Sequence, residues 1–85
     1  MLSKDEIRFL IGNAAADCGE QLRSLRRARG LKLTTVSRET KLSIEEIDKI
    51  ENWCMYTLNL ESVVKLAAFY DKRLYIDFRQ IDDFD

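Results

Sequence analysis

The sequence predicts an all-α domain of four to five short helices that ends in one short β-strand. Apolar residues recur at three- and four-residue steps between residues 7 and 70, which is the period of an amphipathic helix. Serine or asparagine precedes three of these runs and glycine follows the first, as expected for helix caps. From residue 74 the apolar period falls to two, which is typical of a strand.

The chain of 85 residues is expected to form one domain over residues 1–85. We divide it into an N-terminal helix at 1–16, a helical core at 17–73, a strand at 74–80 and a tail at 81–85. No apolar stretch is long enough for a signal peptide or a membrane span, which predicts a cytoplasmic protein without membrane contact. Histidine is absent and the two cysteines are far apart, so we expect no metal site, no redox pair and no cofactor. Without a nucleophile motif or a phosphate loop, the protein is not expected to be an enzyme.

The first helix is predicted to begin at a capping box formed by Ser3 and Glu6. Its apolar stripe continues as one long helix or as two helices joined near Gly12 and Asn13. A break is the preferred interpretation, because glycine and asparagine are both poor helix formers. Gly30 is expected to end the helix in a left-handed conformation. The predicted stripe consists of Ile7, Leu10, Ile11, Ala15, Cys18, Leu22, Leu25 and Ala28.

Three further helices follow in the prediction. The second covers 33–40, the third begins after Ser43 with another capping box to Glu46, and the fourth begins after Asn59. The residues expected to face inward are Val36, Leu42, Ile47, Ile50, Leu60, Val63, Val64, Leu66, Ala67 and Tyr70.

The last predicted element is the strand at 74–80, and a strand needs a hydrogen-bonding partner. Nothing else in the chain resembles one. The segment therefore either pairs with the same segment of a second copy across a two-fold axis or lies as an extended tail on its own domain. The homodimer is the preferred prediction, with Leu74, Ile76 and Phe78 as its dimerisation residues.

Residues 33–52 have the pattern of a helix-turn-helix, with the small residue Ser37 at the helix crossing and a turn at 40–42. In DNA-binding versions the second helix enters the major groove and the start of the first contacts phosphates. This pattern predicts duplex DNA as a partner. The candidate phosphate contacts are Lys32, Thr34, Thr35 and Arg38, the candidates toward base edges are Ile44, Glu45, Asp48 and Lys49, and Arg23, Arg27 and Ser43 complete the set.

Charge is distributed unevenly around this motif. Residues 20–41 contain seven basic and two acidic residues, whereas 42–62 contain five acidic residues and one lysine. The arginines at 23, 26, 27 and 29 are interpreted either as phosphate contacts or as the solvated face of a helix. The acidic residues Glu45, Glu46, Asp48 and Glu51 are interpreted as solvent-facing rather than as metal ligands. Because phosphate repels carboxylates, an acidic second helix favours a protein partner as the alternative to DNA.

The sequences GEQLRSLRRARGL at 19–31, LS at 42–43, IEN at 50–52 and LESVVKLA at 60–67 occur in an order that resembles the lambda-repressor-like (Cro/cI-type) helix-turn-helix family. The resemblance covers 17–74 and implies a four- to five-helix bundle in a transcriptional regulator. The chain departs from the family at Lys32-Leu33, Ser37 and Lys41, where a polar cap with glutamine, an alanine and a glycine are usual. The helix–strand ending resembles HipB-like antitoxins, which implies autorepression and a toxin as partner.

Trp53 and Tyr56 follow the third helix, where they either pack under a loop or anchor a protein partner; packing is the preferred interpretation. The function expected from the sequence is sequence-specific DNA binding by a transcriptional regulator, either a repressor or an autoregulating antitoxin. The alternative is a protein–protein interaction module, an antitoxin or adaptor, that binds DNA weakly or not at all.

Overall fold

The computed structural model describes residues 1–52 and 59–78, and in those ranges the regular secondary structure is four α-helices without a strand. They are α1 (Lys4–Ala28), α2 (Leu33–Thr40), α3 (Ile44–Glu51) and α4 (Leu60–Phe69). The predicted all-α class is confirmed. Trp53 and Tyr56, the end of the predicted strand at 79–80 and the predicted tail at 81–85 lie outside the described residues.

Both ends of α1 form as predicted. Ser3 Oγ accepts from the amide of Glu6 at 3.1 Å, and Glu6 Oε1 accepts from the amide of Ser3 at 3.0 Å. At the other end Gly30 has φ 63°, and the amide of Leu31 reaches the carbonyl of Arg26 at 3.1 Å. This left-handed glycine and the long return bond stop the helix.

The preferred break near Gly12 and Asn13 is wrong, because α1 runs uninterrupted from Lys4 to Ala28. Each poor helix former costs about 1 kcal/mol or less, whereas a break would give up several hydrogen bonds of a helix that is already nucleated and capped. A Cβ added at Gly12 would meet nothing within 4 Å, so no packed neighbour forces a bend there.

The core lies where α2, α3 and α4 meet the second half of α1. Its buried residues are Leu22, Val36, Ile47, Ile50, Val63, Leu66 and Tyr70, all of them predicted to face inward. The prediction is wrong for Ile7, Leu60 and Val64, which are about half exposed, and for Ala28, which is exposed. Leu60 and Val64 are one turn apart, so they share a face of α4, and that face points away from the core.

The segment after α4 is not confirmed as a strand. Residues 73–78 belong to no helix or strand. Of the three predicted dimerisation residues, Leu74 packs against the core. A segment counts as a strand only where its backbone is hydrogen-bonded to a neighbouring strand, and the described part of this chain supplies no neighbouring strand. No helix within the described ranges combines the length and the apolar character needed to cross a membrane.

Candidate nucleic-acid interface

The turn between α2 and α3 is closed by two side-chain hydroxyls. Ser37 Oγ donates to the carbonyl of Leu42 at 2.6 Å, and Thr40 Oγ1 donates to the carbonyl of Val36 at 2.7 Å. Lys41 sits between them in the left-handed region, with φ 64° and ψ 19°. Ser37 thus does more than occupy a small space at the crossing, because its hydroxyl ties the end of the turn to α2. Together these contacts fix the direction in which α3 leaves the turn.

The N-terminus of α3 is capped by Ser43, whose Oγ accepts from the amide of Glu46 at 3.0 Å. The predicted second half of this capping box is replaced by a different contact. Glu46 Oε1 accepts from Ser62 Oγ at 2.9 Å and from Asn59 Nδ2 at 3.5 Å. Glu46 therefore links α3 to the start of α4, and it is a half-buried structural residue instead of a solvent-facing one.

A second acidic residue of α3 is also structural. Glu51 is 3% exposed, and its carboxylate accepts from Arg26 Nε at 2.8 Å and from Arg26 Nη2 at 2.9 Å. Arg26 also donates to the carbonyl of Leu31 at 3.0 Å. Hydrogen bonding to Glu51 raises the pKa of the Arg26 guanidinium above its already high ordinary value. The predictions of a solvent-facing Glu51 and of a phosphate-binding or solvated Arg26 are both wrong.

The arginine cluster at 23–29 separates into different roles. Arg29 Nη2 donates to the carbonyl of Tyr70 at 3.1 Å, and its guanidinium lies 5.6 Å from the centre of the Tyr70 ring. Arg23 Nη1 donates to Asn52 Oδ1 at 3.3 Å. Arg27 is exposed in the last turn of α1. Arg26 and Arg29 thus hold helices together, while Arg27 keeps its guanidinium at the surface and Arg23 is half-buried.

Four of the remaining candidates share the outer side of α3. Ile47 and Ile50 turn one side of α3 into the core, and the opposite side carries Ile44, Glu45, Asp48 and Lys49 in solvent. Asp48 Oδ1 accepts from Asn52 Nδ2 at 2.8 Å, so its carboxylate is already hydrogen-bonded. Lys32, Thr34, Arg38 and Ser43 are exposed as well, and Thr35 is half-buried.

The exposed face of α3 is less acidic than the helix composition indicates. The helix contains four carboxylates, but Glu46 and Glu51 are turned toward α4 and α1. Glu45 and Asp48 remain outward, next to Lys49. Sequence reasoning missed this because helical spacing alone put Glu46 on the outward side and gave no partner for Glu51. An arginine twenty-five residues away has no local signature in the sequence.

No three histidine, cysteine, aspartate or glutamate side chains gather closely enough to hold a metal ion within 1–52 and 59–78. Cys18 is half-buried, and burial, followed by the nearby charge of Asp17, raises the pKa of its thiol. Such a thiol is a weak nucleophile at neutral pH. Cys54 lies outside the described residues.

Comparison of the chain with protein-family models, with curated proteins and with solved structures found no match. The family resemblance of residues 17–74 therefore stays a prediction from the sequence motifs.

Proposed function

We propose that this protein is a sequence-specific DNA-binding transcriptional regulator of the Cro/cI type, either a repressor or an antitoxin that represses its own operon. The observation that carries the proposal is the exposed face of α3 behind a turn closed by Ser37 and Thr40. A short helix held rigidly on a helical core, with its outer side free, has the form of a recognition helix. The order of the motifs at 19–67 supports the same interpretation.

The proposed contacts divide by chemistry. Lys32, Arg38 and Arg27 are exposed cations that would neutralise phosphates. On α3, Ile44 would contact a thymine methyl group and Glu45 would accept from a cytosine amine. Lys49 would donate to a guanine edge. Three further candidates, Thr34, Thr35 and Ser43, would add hydroxyl contacts.

The orientation of the α3 carboxylates reduces the electrostatic repulsion that α3 would experience from DNA phosphates. Only carboxylates on the outer face approach phosphates, and the described outer face carries Glu45 and Asp48. Asp48 is engaged by Asn52, which leaves Glu45 as the carboxylate available for a base edge. An acidic recognition helix of this kind is expected to bind DNA with a shallower salt dependence than a basic one, because fewer phosphates are neutralised.

The test compares binding to the DNA upstream of the protein's own gene with binding to a random duplex, at about 50 and about 200 mM salt. Fluorescence anisotropy of labelled duplexes gives both affinities. Tighter binding to the upstream DNA that survives the higher salt is the expected result. Equal binding to both duplexes, or no binding at low salt, contradicts the proposal.

A pair of lysine variants assigns the interface. Lys49→Glu on the outer face of α3 is expected to abolish operator binding. Lys65→Glu makes the same change of charge on the exposed side of α4, where the lysine lies 3.4 Å from Glu61. That control is expected to retain operator affinity within about threefold, since it changes net charge away from the interface. Equal losses in the two variants would remove α3 from the DNA interface.

The second candidate function is a protein–protein interaction module on the same scaffold. The observation that favours it is Ile44, which is 43% exposed on an outer face where Glu45 and Asp48 repel phosphate. An antitoxin gene normally lies beside its toxin gene, so the product of the adjacent gene is the partner to co-express. A stable complex that Ile44→Asp disrupts, together with no DNA binding at low salt, would favour this function.

The regulator is proposed to act as a homodimer that uses Leu74, Ile76 and Phe78. Operators with two half-sites match proteins with two-fold symmetry. Sedimentation of the chain alone tests this part without DNA.

A further inference from the structure

A groove of about 830 Å³ lies between the second half of α1, α4 and the segment after α4. Its apolar walls are buried or half-buried side chains, namely Leu22, Leu25, Val63, Ala67 and Leu74. Pockets that bind small organic molecules have volumes of about 300–1,000 Å³ and predominantly apolar walls. The groove therefore has the size and the walls of a small-molecule site.

The groove lies on the side of α1 that faces away from α3. Gly19 packs against the backbone at the end of α3. Gln21, Leu25 and Ala28 line the groove, and they are turned about 180–240° from Gly19 around the helix axis. A ligand in the groove therefore leaves the outer face of α3 free.

Two cations border the groove at the end of α4. Lys72 and Arg73 are exposed in its lining, and within the described ranges the side chain of neither forms an ion pair. Their backbone is fixed, because Asp71 has φ 60° and the amide of Lys72 donates to the carbonyl of Ala67 at 2.8 Å. The end of α4 thus holds two unpaired positive charges at the groove.

The charge of the groove lining changes along its length. Arg29 Nη2 lies 3.5 Å from Asp71 Oδ2, so Lys72 and Arg73 leave the fold beside the C-terminal end of α1. Glu20, the acidic residue of the described lining, precedes Arg29 by about 13 Å along the helix axis. An elongated ligand is complementary to this lining when its negative group lies beside the two cations and its apolar remainder follows the groove.

The nearby helix ends do not oppose a negative group at this place. The C-terminal ends of α1 and α4 carry partial negative charge from unpaired carbonyl groups. Arg29 Nη2 donates to the carbonyl of Tyr70 at 3.1 Å, which offsets part of that charge, and exposed Asp71 balances the guanidinium. The net positive charge at this end of the groove therefore comes from Lys72 and Arg73.

We propose that the groove binds a small organic anion with an apolar body, of the class of medium-chain carboxylates, with its carboxylate beside Lys72 and Arg73. Burial of the apolar chain against the walls supplies most of the affinity, because contacts to exposed cations are weak. The two cations set the orientation and the preference for an anion. The inference goes beyond the proposed function and depends neither on DNA binding nor on the homodimer.

Isothermal titration of the full chain with decanoate, below its micelle concentration, tests the class of ligand. Saturable one-to-one binding is expected. Decylammonium has the same apolar chain and the opposite charge, and it is expected to bind about tenfold more weakly or worse. Equal affinities for the two would contradict the assignment to anions, and the absence of saturable decanoate binding would overturn the proposal.

A double variant tests the role of the cations. Lys72→Gln combined with Arg73→Gln is expected to weaken decanoate binding by about three- to thirtyfold, as for the loss of two exposed ion contacts. Lys41→Gln combined with Lys65→Gln removes two exposed lysines outside the groove lining. This control is expected to keep the affinity within about twofold. Equal losses in the two double variants would leave only an effect of net charge and remove the two cations from the site.

A bulky side chain placed in the groove tests the location. Ser24 is exposed in the lining, so Ser24→Trp obstructs the groove without replacing a buried residue. It is expected to weaken decanoate binding by about tenfold or more. Asn13→Trp adds the same ring at an exposed position of α1 outside the lining, and it is expected to bind as the unchanged chain does. Unchanged binding by a helical Ser24→Trp variant, checked by circular dichroism, would place the ligand elsewhere and overturn the proposal.

Cys18 gives a second measure of location, because its half-buried side chain lines the groove. In the full chain with Cys54→Ser, decanoate is expected to slow the alkylation of Cys18 by iodoacetamide in proportion to the bound fraction. An alkylation rate that saturating decanoate does not change would contradict binding in the groove.

Two other occupants of the groove would give different results. Cosedimentation with phosphatidylglycerol vesicles that Ser24→Trp abolishes, without binding of free decanoate, would assign the groove to a lipid surface and overturn the proposal. Decanoate binding that disappears at protein concentrations where the chain is dimeric would assign the groove to a second copy, with the same consequence. Decanoate binding without operator binding supports this inference and contradicts the proposed DNA-binding function alone.

Discussion

The two sides of α1 differ in how closely they pack against their neighbouring helices. On the α3 side, Gly19 brings the helix backbone against the end of α3, and the Arg26–Glu51 ion pair joins the two helices. On the α4 side, a groove separates the helices, and Arg29 donates at one end to the carbonyl of Tyr70 and to the carboxylate of Asp71. One helix therefore has a closed, specifically matched side and an open side.

This difference indicates that the α3 side of α1 determines the packing of the fold, whereas the α4 side leaves open surface that a partner could contact. The α3 side combines close backbone approach with a buried ion pair, so it tolerates little change. The α4 side is lined by residues of mixed size and polarity around the groove. Substitutions of similar size should consequently have unequal effects on the two sides, and the following tests are ordered from the largest expected effect to the smallest.

Removal of Glu51 is expected to have the largest effect. Glu51→Ala leaves the guanidinium of Arg26, which is 15% exposed, without its carboxylate, at a cost of about 3–5 kcal/mol of unfolding free energy. Urea unfolding followed by circular dichroism measures it. The matched control is Glu61→Ala, on an exposed carboxylate of α4, which is expected to change stability by less than about 0.5 kcal/mol. Similar losses for the two variants would mean that the buried pair contributes no more than a surface contact.

Gly19→Ala tests the close approach on the same side. Its Cβ would lie 2.8 Å from the carbonyl oxygen of Glu51 and closer still to that of Ile50, so backbone has to move. We expect a loss of about 3 kcal/mol, at the upper end of overpacking effects. Gly12→Ala makes the same change in the open part of α1 and should stabilise by about 1 kcal/mol. The comparison of the two sides would be wrong if both variants were stabilised.

Tyr70→Phe tests the energetic cost of the buried Tyr70 hydroxyl at the C-terminal end of α4. The hydroxyl of Tyr70 is buried and has no hydrogen-bond partner in the described part of the chain, and burial raises its pKa. Because an unsatisfied buried hydroxyl carries a desolvation cost, its removal should stabilise the fold by about 1–2 kcal/mol. Thermal unfolding of the two proteins at neutral pH measures the difference. Destabilisation would reveal a partner for this hydroxyl.

Gln21→Ala in the groove is expected to have the smallest effect. Gln21 is exposed in the groove lining, so its loss should alter stability by no more than about 0.5 kcal/mol at concentrations where the chain is monomeric. Urea unfolding over a dilution series separates this effect from dimer formation. A loss above about 1 kcal/mol in the monomer would show that the groove is filled within a single chain.

Local sequence signals predicted the helix boundaries well. Ser3, Ser43, Asn59 and Gly30 each act on backbone groups within a few residues, so their roles could be read from neighbouring positions. The exception was Gly12, where intrinsic propensity favoured a break that the capped helix did not need.

Contacts between distant residues could not be predicted from local patterns. The pairing of Arg26 with Glu51 and that of Glu46 with Ser62 depend on how α3 lies against α1 and α4. In the candidate interface, this is why the outward set of Ile44, Glu45, Asp48 and Lys49 was predicted correctly while Glu46 and Arg26 were misassigned. The predicted strand at 74–80 was not confirmed, because residues 73–78 belong to no helix or strand in the described part of the chain.

The ion pair between Arg26 and Glu51 has a consequence for how this sequence can change over generations. Either residue alone, once replaced, leaves a desolvated charge, so single substitutions pass through a poorly folded intermediate. A joint replacement by two apolar residues of similar volume avoids that state. Related chains should consequently vary at positions 26 and 51 together, and a survey of natural variants would find the two sites inherited as a pair.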